Sequence, residues 1–409
     1  MLLPSPKPIR YHEAMRAWLR DYADIPAALG RELARVRLTG ARAHEPLRAS
    51  LSVLLAVVLA RAFGMHDVWW AAFSGFAVLR AQLDESLRRG VYRIAGTIVG
   101  ALLGVAAAGF LFKSALLFLV YVFVCSGVTL TCTLLSRYSY AWLFLGLTNI
   151  MVVAFAILEP AQLHAIALLR VADVAIGTVA SLIVALLIVL ISAPRSVPWR
   201  NTVRGVWSAP KPGFAAALTR DARMRLLRHV IEAAFGITLV TALGFWFRLA
   251  SFSQAAITVL VVMVVPYADF EADRYRAVGR RLALRGLGCF AGGLFGLALL
   301  VLTAHVPPLW WVALPVGVWI GEHIQSGDKR VAYFGTQFAF AFLVGFVQES
   351  GGQEVVTQHT GGFASNYPAF LRLAGVLTGV VIIAVIFIIS HLVSSRLVRH
   401  YPKEVKRAQ

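Results

Sequence analysis

Charged residues are scarce in this sequence. Only 14% of its 409 residues are charged, whereas 59% are hydrophobic, and the mean hydropathy is +0.74. Soluble domains carry about 25% charged residues, which they need to cover their surface with groups that interact with water. The composition therefore excludes a soluble globular protein and predicts a membrane protein.

Cysteine and the common catalytic motifs are also scarce or missing. The three cysteines, Cys125, Cys132 and Cys289, all fall within apolar runs, which excludes an external disulfide framework and a cysteine metal cluster. The sequence has no G-x-x-x-x-G-K-[S/T] phosphate loop, no H-E-x-x-H zinc motif and no G-x-S-x-G nucleophile turn. We therefore predict no enzymatic activity, no cofactor and no metal site.

What the chain does contain is a series of apolar runs, many of them long enough to cross a bilayer. They predict an all-α polytopic membrane protein with about twelve transmembrane helices, at 47–63, 66–80, 94–112, 114–136, 140–158, 165–192, 228–247, 251–268, 286–304, 307–323, 331–348 and 370–393. Most of the 39 Lys and Arg lie in alternate connecting segments, which predicts cytoplasmic N- and C-termini. The net charge of +19 is thus a topology signal that favours contact with anionic lipid, and we predict no nucleic-acid binding.

The spans and the charged segments divide the chain into five predicted parts. These are a basic amphipathic cytoplasmic segment (1–46), a first six-helix repeat (47–193), a cytoplasmic linker (194–227), a second six-helix repeat (228–395) and a basic cytoplasmic tail (396–409). The outer connection 348–368 is acidic and rich in Gly, Gln and Thr, and it is the predicted docking place for a periplasmic partner.

One motif occurs four times: an arginine followed by small residues at intervals of three, four and four. Its copies in spans three, nine, six and twelve are Arg93, Gly96, Gly100, Gly104; Arg285, Gly288, Gly292, Gly296; Arg170, Asp173, Gly177, Ser181; and the degraded Arg372, Gly375, Gly379. The pattern predicts two homologous six-helix halves, each a 3+3 inverted repeat. Transporters are often built in this way, with the substrate pathway between the repeats.

The six glycines of the two complete copies form a smooth face on each helix, because residues four apart share a face. Two interpretations stay open: the face packs closely against another helix, or it lines a pathway.

The arginines of the motif are the predicted substrate-binding residues. Arg170 and Arg372 are predicted several residues inside apolar sequence near the outer face, where an uncompensated guanidinium costs several kcal/mol. Each needs a carboxylate, a water-filled cavity or an anionic substrate. Together with Arg93 and Arg285 at the cytoplasmic ends of their spans, they favour an anion pathway, since arginine donates two parallel hydrogen bonds to a carboxylate.

Asp173 in span six and Glu232 in span seven are candidates for proton coupling, because titrating carboxyl groups inside a bundle serve proton-driven carriers. Satisfied polar contacts are the alternative for both. Asp173 is also the predicted partner of Arg170 on the same helix face. The tryptophans, Trp69 and Trp70 among them, are interpreted mainly as interface belts, with stacking on an aromatic solute as the alternative.

A family resemblance rests on one stretch of the first half. It contains Trp-Trp-Ala-Ala-Phe-Ser at 69–74, then Gln82, Ser86, Arg88, Arg89, and the motif Arg93, Gly96, Thr97, Gly100. This stretch of about 60 residues resembles the fusaric acid resistance family, also called aromatic acid exporters, which is similar to plant aluminium-activated malate channels. A looser likeness extends over 228–300, where the glycines after Arg285 are its clearest part.

The resemblance implies efflux of small organic anions, typically aromatic carboxylates, across the inner membrane of Gram-negative bacteria. It also implies that Arg93 is the family-motif arginine. We therefore predict an inner-membrane exporter of small organic anions, most of all aromatic carboxylic acids, driven by an ion gradient. Two alternatives stay open: a passive organic-anion channel, and a membrane component of an envelope assembly without its own solute. Anionic lipid is a predicted partner, and a periplasmic adaptor and a homo-oligomer are left open.

Overall fold

The structure, a computed structural model, describes residues 11–37, 39–65, 67–80, 82–111, 113–192, 219–249, 251–348 and 368–400. No strand occurs in these ranges. The helices are α1 (Tyr11–Ala34), α2 (Ala41–Ala62), α3 (Val68–Val78), α4 (Leu83–Leu111), α5 (Ala115–Leu135), α6 (Ser139–Leu158), α7 (Leu163–Ser192), α8 (Arg220–Phe247), α9 (Phe252–Met263), α10 (Tyr267–Thr303), α11 (Pro307–Gln325), α12 (Ala332–Leu343) and α13 (Pro368–His400). A 3₁₀ turn (Pro160–Gln162) precedes α7, and a π turn (Val344–Gln348) extends α12.

Eight of the described helices are long and apolar enough to cross a bilayer: α2, α4, α5, α6, α7, α8, α10 and α13. The prediction of an all-α polytopic membrane protein is confirmed. A helix is present at each of the twelve predicted spans, but the count of twelve crossings stays a prediction. Several helices begin before the predicted span, among them α4 at Leu83, and α10, whose backbone is non-helical at Asp273 and whose membrane-length part begins there. Hydropathy locates the bilayer core and not the polar turns that continue a helix beyond it.

Three predicted spans are apolar helices too short to be among the eight above: α3, α9 and, even with its π turn, α12. Helices α3 and α9 have 11 and 12 residues. At about 1.5 Å per residue they are roughly 17–18 Å long, against a hydrocarbon core of about 30 Å. Helix α3 ends because Leu79 turns to an extended backbone, and the amide of Arg80 donates to the Ser86 hydroxyl at 2.9 Å. Irregular backbone at membrane depth is tolerated where protein or a cavity surrounds it.

Helices before residue 193 pack against helices after residue 218: α2 packs on α11, and α5 packs on α8. Within the first part, α4 pairs with α6 and α3 with α7. Within the second part, α10 pairs with α12 and α9 with α13. The two larger buried apolar clusters both combine early and late helices. One includes Val53 and Leu314, and the other includes Leu130 and Leu260. The chain before residue 193 and the chain after 218 therefore share their cores.

The motif glycines lie at the closest helix contacts. A Cβ added to Gly96 or Gly100 would fall closer than 3.0 Å to a backbone carbonyl of α6, and one added to Gly288 or Gly292 would meet α12 in the same way. Gly104 and Gly296 continue these contacts one turn further along each helix. This geometry is that of close helix packing, and none of the six glycines lines the central cavity.

The N-terminal helix α1 packs on the end of α11. The buried Glu32 carboxylate forms ion pairs with Arg35 and Arg42, both at 3.3 Å, and His323 donates to its backbone carbonyl at 3.0 Å. Residues 1–10, most of the linker 194–227, nearly all of the connection 348–368 and the tail from 401 lie outside the described residues, so the predictions made for them are not tested here.

Candidate functional site

A central cavity of about 440 Å³ lies between the helices. It is lined by α3, α4, α6 and α7 from the first part of the chain and by α9 to α13 from the second. All four arginines predicted from the sequence line it: Arg93, Arg170, Arg285 and Arg372. Arg80 and Arg281 line it too, and none of the described lining residues is Asp or Glu.

Arg93 is buried between the short helix α3 and helix α6. Its Nε donates to the Ser74 hydroxyl at 3.1 Å, and its guanidinium lies 4.0 Å from the centre of the Phe144 ring. Nη1 is buried and has no hydrogen-bond partner among the described residues. Arg93 is thus contacted by the hydroxyls of Ser74 and Tyr140 and by a ring face, and no carboxylate forms an ion pair with it in the described chain.

Arg285 has a comparable position between α9 and α12. Its Nε donates to the Thr258 hydroxyl at 3.1 Å, and its Nη1 donates to the Gln337 side-chain oxygen at 2.5 Å. Its side chain is 7% exposed. Neutral oxygens accept these hydrogen bonds of Arg285, and the described residues include no acidic partner for it.

Arg170 is the only one of the four with carboxylate partners in the described chain. Its Nη2 forms an ion pair with Asp67, which is half exposed, and its Nη1 lies 3.8 Å from the fully buried Asp173. The sequence predicted the pairing with Asp173. It did not predict the pairing with Asp67, which is distant along the chain and just before α3.

Trp69 and Trp70 lie between Arg170 and Arg372. The guanidinium of Arg372 is 4.2 Å from the Trp69 ring centre, and that of Arg170 is 4.3 Å from the Trp70 ring centre. Both distances are typical of cation–π contacts. The expectation of an interface belt is wrong for Trp69, which is only 6% exposed and packs inside the bundle. The two arginines and the two indoles form one cluster at the α7 and α13 end of the cavity.

Sequence reasoning did not propose a site role for the arginines one turn before the motif, of which Arg281 lines the cavity and Arg89 does not. Arg281 lies 4.1 Å from the Tyr333 ring centre, and Arg89 lies 5.0 Å from the Tyr140 ring centre. Each is four residues before a motif arginine, so the repeat itself carried the signal. Arg80 has no such counterpart, and its place at the cavity follows only from the early end of α3.

The rest of the cavity wall is mainly apolar and rich in aromatic rings. The aromatic lining residues are Trp70, Phe73, Phe76, Tyr140, Phe144, Phe290, Tyr333 and Phe340. An apolar wall with a few convergent cations suits a ligand that has a flat apolar body and one anionic group. The described residues contain no group of three His, Cys, Asp or Glu side chains that could hold a metal ion.

The two carboxyl candidates for proton coupling occupy different environments. Asp173 is fully buried one turn from Arg170, and neither of its oxygens has a hydrogen-bond partner in the described structure. Glu232 does not line the cavity. It forms ion pairs with Arg228 and Arg274, both at 3.0 Å, and accepts a hydrogen bond from Ser390. These contacts join α8, α10 and α13.

We expect Glu232→Gln to lower stability. The substitution leaves Arg274, 8% exposed, without its carboxylate, and breaking a buried ion pair on one side costs about 3–5 kcal/mol. The midpoint of thermal unfolding in detergent should fall by several degrees relative to wild type. An unchanged midpoint would show that the network contributes little to stability.

The comparisons with known proteins bear on the first half of the chain. Residues 55–184 match a family model described as fusaric acid resistance protein-like. The matched stretch runs from α2 into α7 and contains Arg93 and Arg170. No curated protein and no solved structure matches the chain. The match supports the resemblance stated from the sequence: over 55–184, this multi-pass membrane protein is similar to the fusaric acid resistance protein-like family.

Proposed function

We propose that this protein exports small organic anions, above all aromatic carboxylates, through the arginine-lined cavity and across the bacterial inner membrane. The observation that carries the proposal is the convergence of Arg93, Arg170, Arg285 and Arg372 on one cavity without an acidic lining residue. These arginines come from four different helices, so local sequence does not account for their meeting.

The charge balance of the cavity supports an anionic substrate. A guanidinium buried without a partner costs several kcal/mol, and proteins normally compensate it with a carboxylate. In the described chain only Arg170 of the four has one, at Asp67 and Asp173. A carboxylate from the substrate supplies the missing charge, and the planar guanidinium fork is well matched to it.

The aromatic wall supports an aromatic body for that anion. Phe144 and the Trp69–Trp70 pair already pack against arginines, and offset ring contacts add about 0.5–1.5 kcal/mol beyond the buried area. An aliphatic acid of equal size gains the charge contact without the ring contacts. We therefore expect aromatic acids to be preferred.

The proposal includes the division into two six-helix repeats, 47–193 and 228–395, with twelve spans. Several contacts support it. Gly177 of α7 lies against the Ala71 carbonyl in the short helix α3, and Gly379 of α13 lies against the Ala255 carbonyl in the short helix α9. Helix α2 packs on α11, and α8, the predicted counterpart of α2, packs on α5, the predicted counterpart of α11. Two related halves that face each other would form this pair of contacts.

Orientation and partners belong to the same proposal. Cytoplasmic termini follow from the distribution of basic residues, with anionic lipid at the basic segments 1–46 and 396–409. A periplasmic adaptor at 348–368, a segment almost wholly outside the described residues, and a homo-oligomer complete the proposal.

We assign the coupling of transport to a proton gradient to Asp173. A buried carboxyl group beside a cavity arginine links proton binding to the charge of the site. Protonation of Asp173 removes one of the two carboxylate charges next to Arg170 and so favours a substrate anion in the cavity, whereas its ionisation disfavours that anion. Glu232 was the other candidate, and its ion pairs away from the cavity favour a stabilising role.

The test is uptake of labelled 4-hydroxybenzoate into energised everted vesicles, in which uptake corresponds to export. Wild type should accumulate the acid, and an uncoupler should abolish the accumulation. We expect Asp173→Asn to retain downhill equilibration but to lose accumulation, because the amide no longer titrates. Glu232→Gln, assayed in folded protein, should still accumulate the acid.

Other outcomes contradict particular parts of the proposal. Wild-type uptake that ignores the uncoupler and carries ohmic current in a bilayer points to a passive channel. Accumulation that survives in Asp173→Asn removes this residue from coupling. No flux of any organic acid, together with tight co-purification of an envelope protein, points to a component of an envelope assembly.

A further inference from the structure

Two cavity arginines make the same first contact. Arg93 donates Nε to Ser74, and Arg285 donates Nε to Thr258, both at 3.1 Å. Ser74 is the seventh residue of α3 and Thr258 the seventh residue of α9. The two arginines therefore have corresponding positions on either side of the cavity.

Their second contacts differ. The guanidinium of Arg93 is covered by the Phe144 ring, and its Nη1 has no hydrogen-bond partner in the described structure. Arg285 instead donates Nη1 to the amide oxygen of Gln337. Phe144 and Gln337 also correspond. Phe144 precedes Leu145, whose carbonyl faces Gly100, and Gln337 precedes Phe338, whose carbonyl faces Gly292.

The amide oxygen of Gln337 occupies a hydrogen-bonding position on Arg285 that a substrate carboxylate oxygen would otherwise use. Gln337 is 2% exposed, so its side chain is fixed by packing. Nη1 of Arg93 has no such resident acceptor among the described residues. A buried donor without a partner costs about 1–3 kcal/mol, and an arriving carboxylate removes that cost.

We infer that Gln337 sets the charge of the substrate: by holding Arg285, it leaves Arg93 to receive the carboxylate and selects monocarboxylates over dicarboxylates. Among the other motif arginines, Arg170 is paired with Asp67 and Arg372 lies against the tryptophan rings. Release of Arg285 is therefore the change that adds a second anion position. This inference rests on the proposed function.

The experiment measures competition by benzenedicarboxylates against uptake of labelled benzoate, using everted vesicles that contain the full chain. The competitors are phthalate, isophthalate and terephthalate, with unlabelled benzoate as reference. Gln337→Met removes the acceptor at similar length and volume. Gln337→Phe, which copies Phe144, is the second variant if the methionine variant does not reach the membrane.

In wild type we expect all three dicarboxylates to compete more weakly than benzoate. In Gln337→Met or Gln337→Phe, the concentration of at least one dicarboxylate needed for half inhibition should fall about 10-fold relative to benzoate, since a charge-assisted hydrogen bond contributes about 1.5–3 kcal/mol. Gln337→Glu places a resident carboxylate on Arg285 and should keep the dicarboxylates excluded.

Two results overturn the inference while leaving the proposed function intact. The first is wild-type benzoate uptake with the same dicarboxylate ratio in the methionine and phenylalanine variants. The second is the same gain in Gln337→Glu as in Gln337→Met, which would indicate loosened packing instead of a freed charge. Absence of carboxylate uptake in wild type overturns both proposals together.

Discussion

Replacing Arg372 by glutamine should reduce uptake of 4-hydroxybenzoate into everted vesicles about 10- to 100-fold. The range corresponds to losing one charge-assisted contact that the anion makes on its way to or from Arg93, about 1.5–3 kcal/mol at 1.4 kcal/mol for each factor of ten. Arg372 has no carboxylate partner within hydrogen-bonding distance among the described residues. Its contacts are with the ring faces of Trp69, Trp70 and Phe73.

The same substitution should leave stability unchanged or improve it, and this separates a functional arginine from a structural one. Arg372 is half-buried, and removing a charge that has no carboxylate partner among the described residues relieves a desolvation penalty, whereas the lost cation–π contacts contribute about 0.5–2 kcal/mol. The thermal midpoint of Arg372→Gln in detergent should equal or exceed that of wild type. Sites that bind charge are commonly less stable than neutral replacements would make them.

Arg137→Gln is the matched control. Arg137 is exposed in the turn before α6 and does not line the cavity, so its replacement should leave uptake near the wild-type level. Wild-type uptake in Arg372→Gln would exclude Arg372 from the substrate pathway. Reduced uptake with a lowered midpoint would assign it a structural role.

Much of the fold and of the arginine set was accessible from sequence because apolar runs and one arginine motif recur along the chain. Long apolar runs mark helices that face lipid, and an arginine that recurs before a glycine ladder predicts comparable helix positions. The four motif arginines do meet at one cavity. Periodicity fixes the face on which a residue lies, and helices that pack by the same motif present those faces to a common interior.

What sequence did not predict depends on contacts across the bundle. The partner of Arg170 nearest along the chain is Asp173, yet Asp67 makes the closer ion pair. Hydropathy does not distinguish a tryptophan at the lipid interface from one packed between two arginines, and Trp69 lies between Arg170 and Arg372. The apolar run 66–80 likewise does not reveal that its helix ends at Val78, because a hydrogen bond to Ser86 ends it.

Replacing Gly292 by leucine should remove folded protein from the membrane. A Cβ at this position of α10 would lie 2.8 Å from both the Cα and the carbonyl carbon of Phe338 in α12, and closer still to its carbonyl oxygen. These are backbone atoms held by the hydrogen bonds of their own helix, so they cannot rotate away as a side chain can. Overpacking against side chains alone costs about 1–3 kcal/mol, and separating two helices costs more.

Gly286→Leu on the same helix is the control, since a Cβ there has no neighbouring heavy atom within 4 Å. Replacing a glycine in a helix interior by another residue stabilises the helix by about 0.5–1 kcal/mol, so this variant should be as stable as wild type or slightly more stable. Fluorescence-detected size-exclusion chromatography of both variants, before and after heating, measures the difference. If Gly292→Leu elutes and unfolds as wild type but transports nothing, the glycine face lines a pathway; if it is lost while Gly286→Leu persists, the face is the contact that brings α10 and α12 together and so places Gln337 beside Arg285.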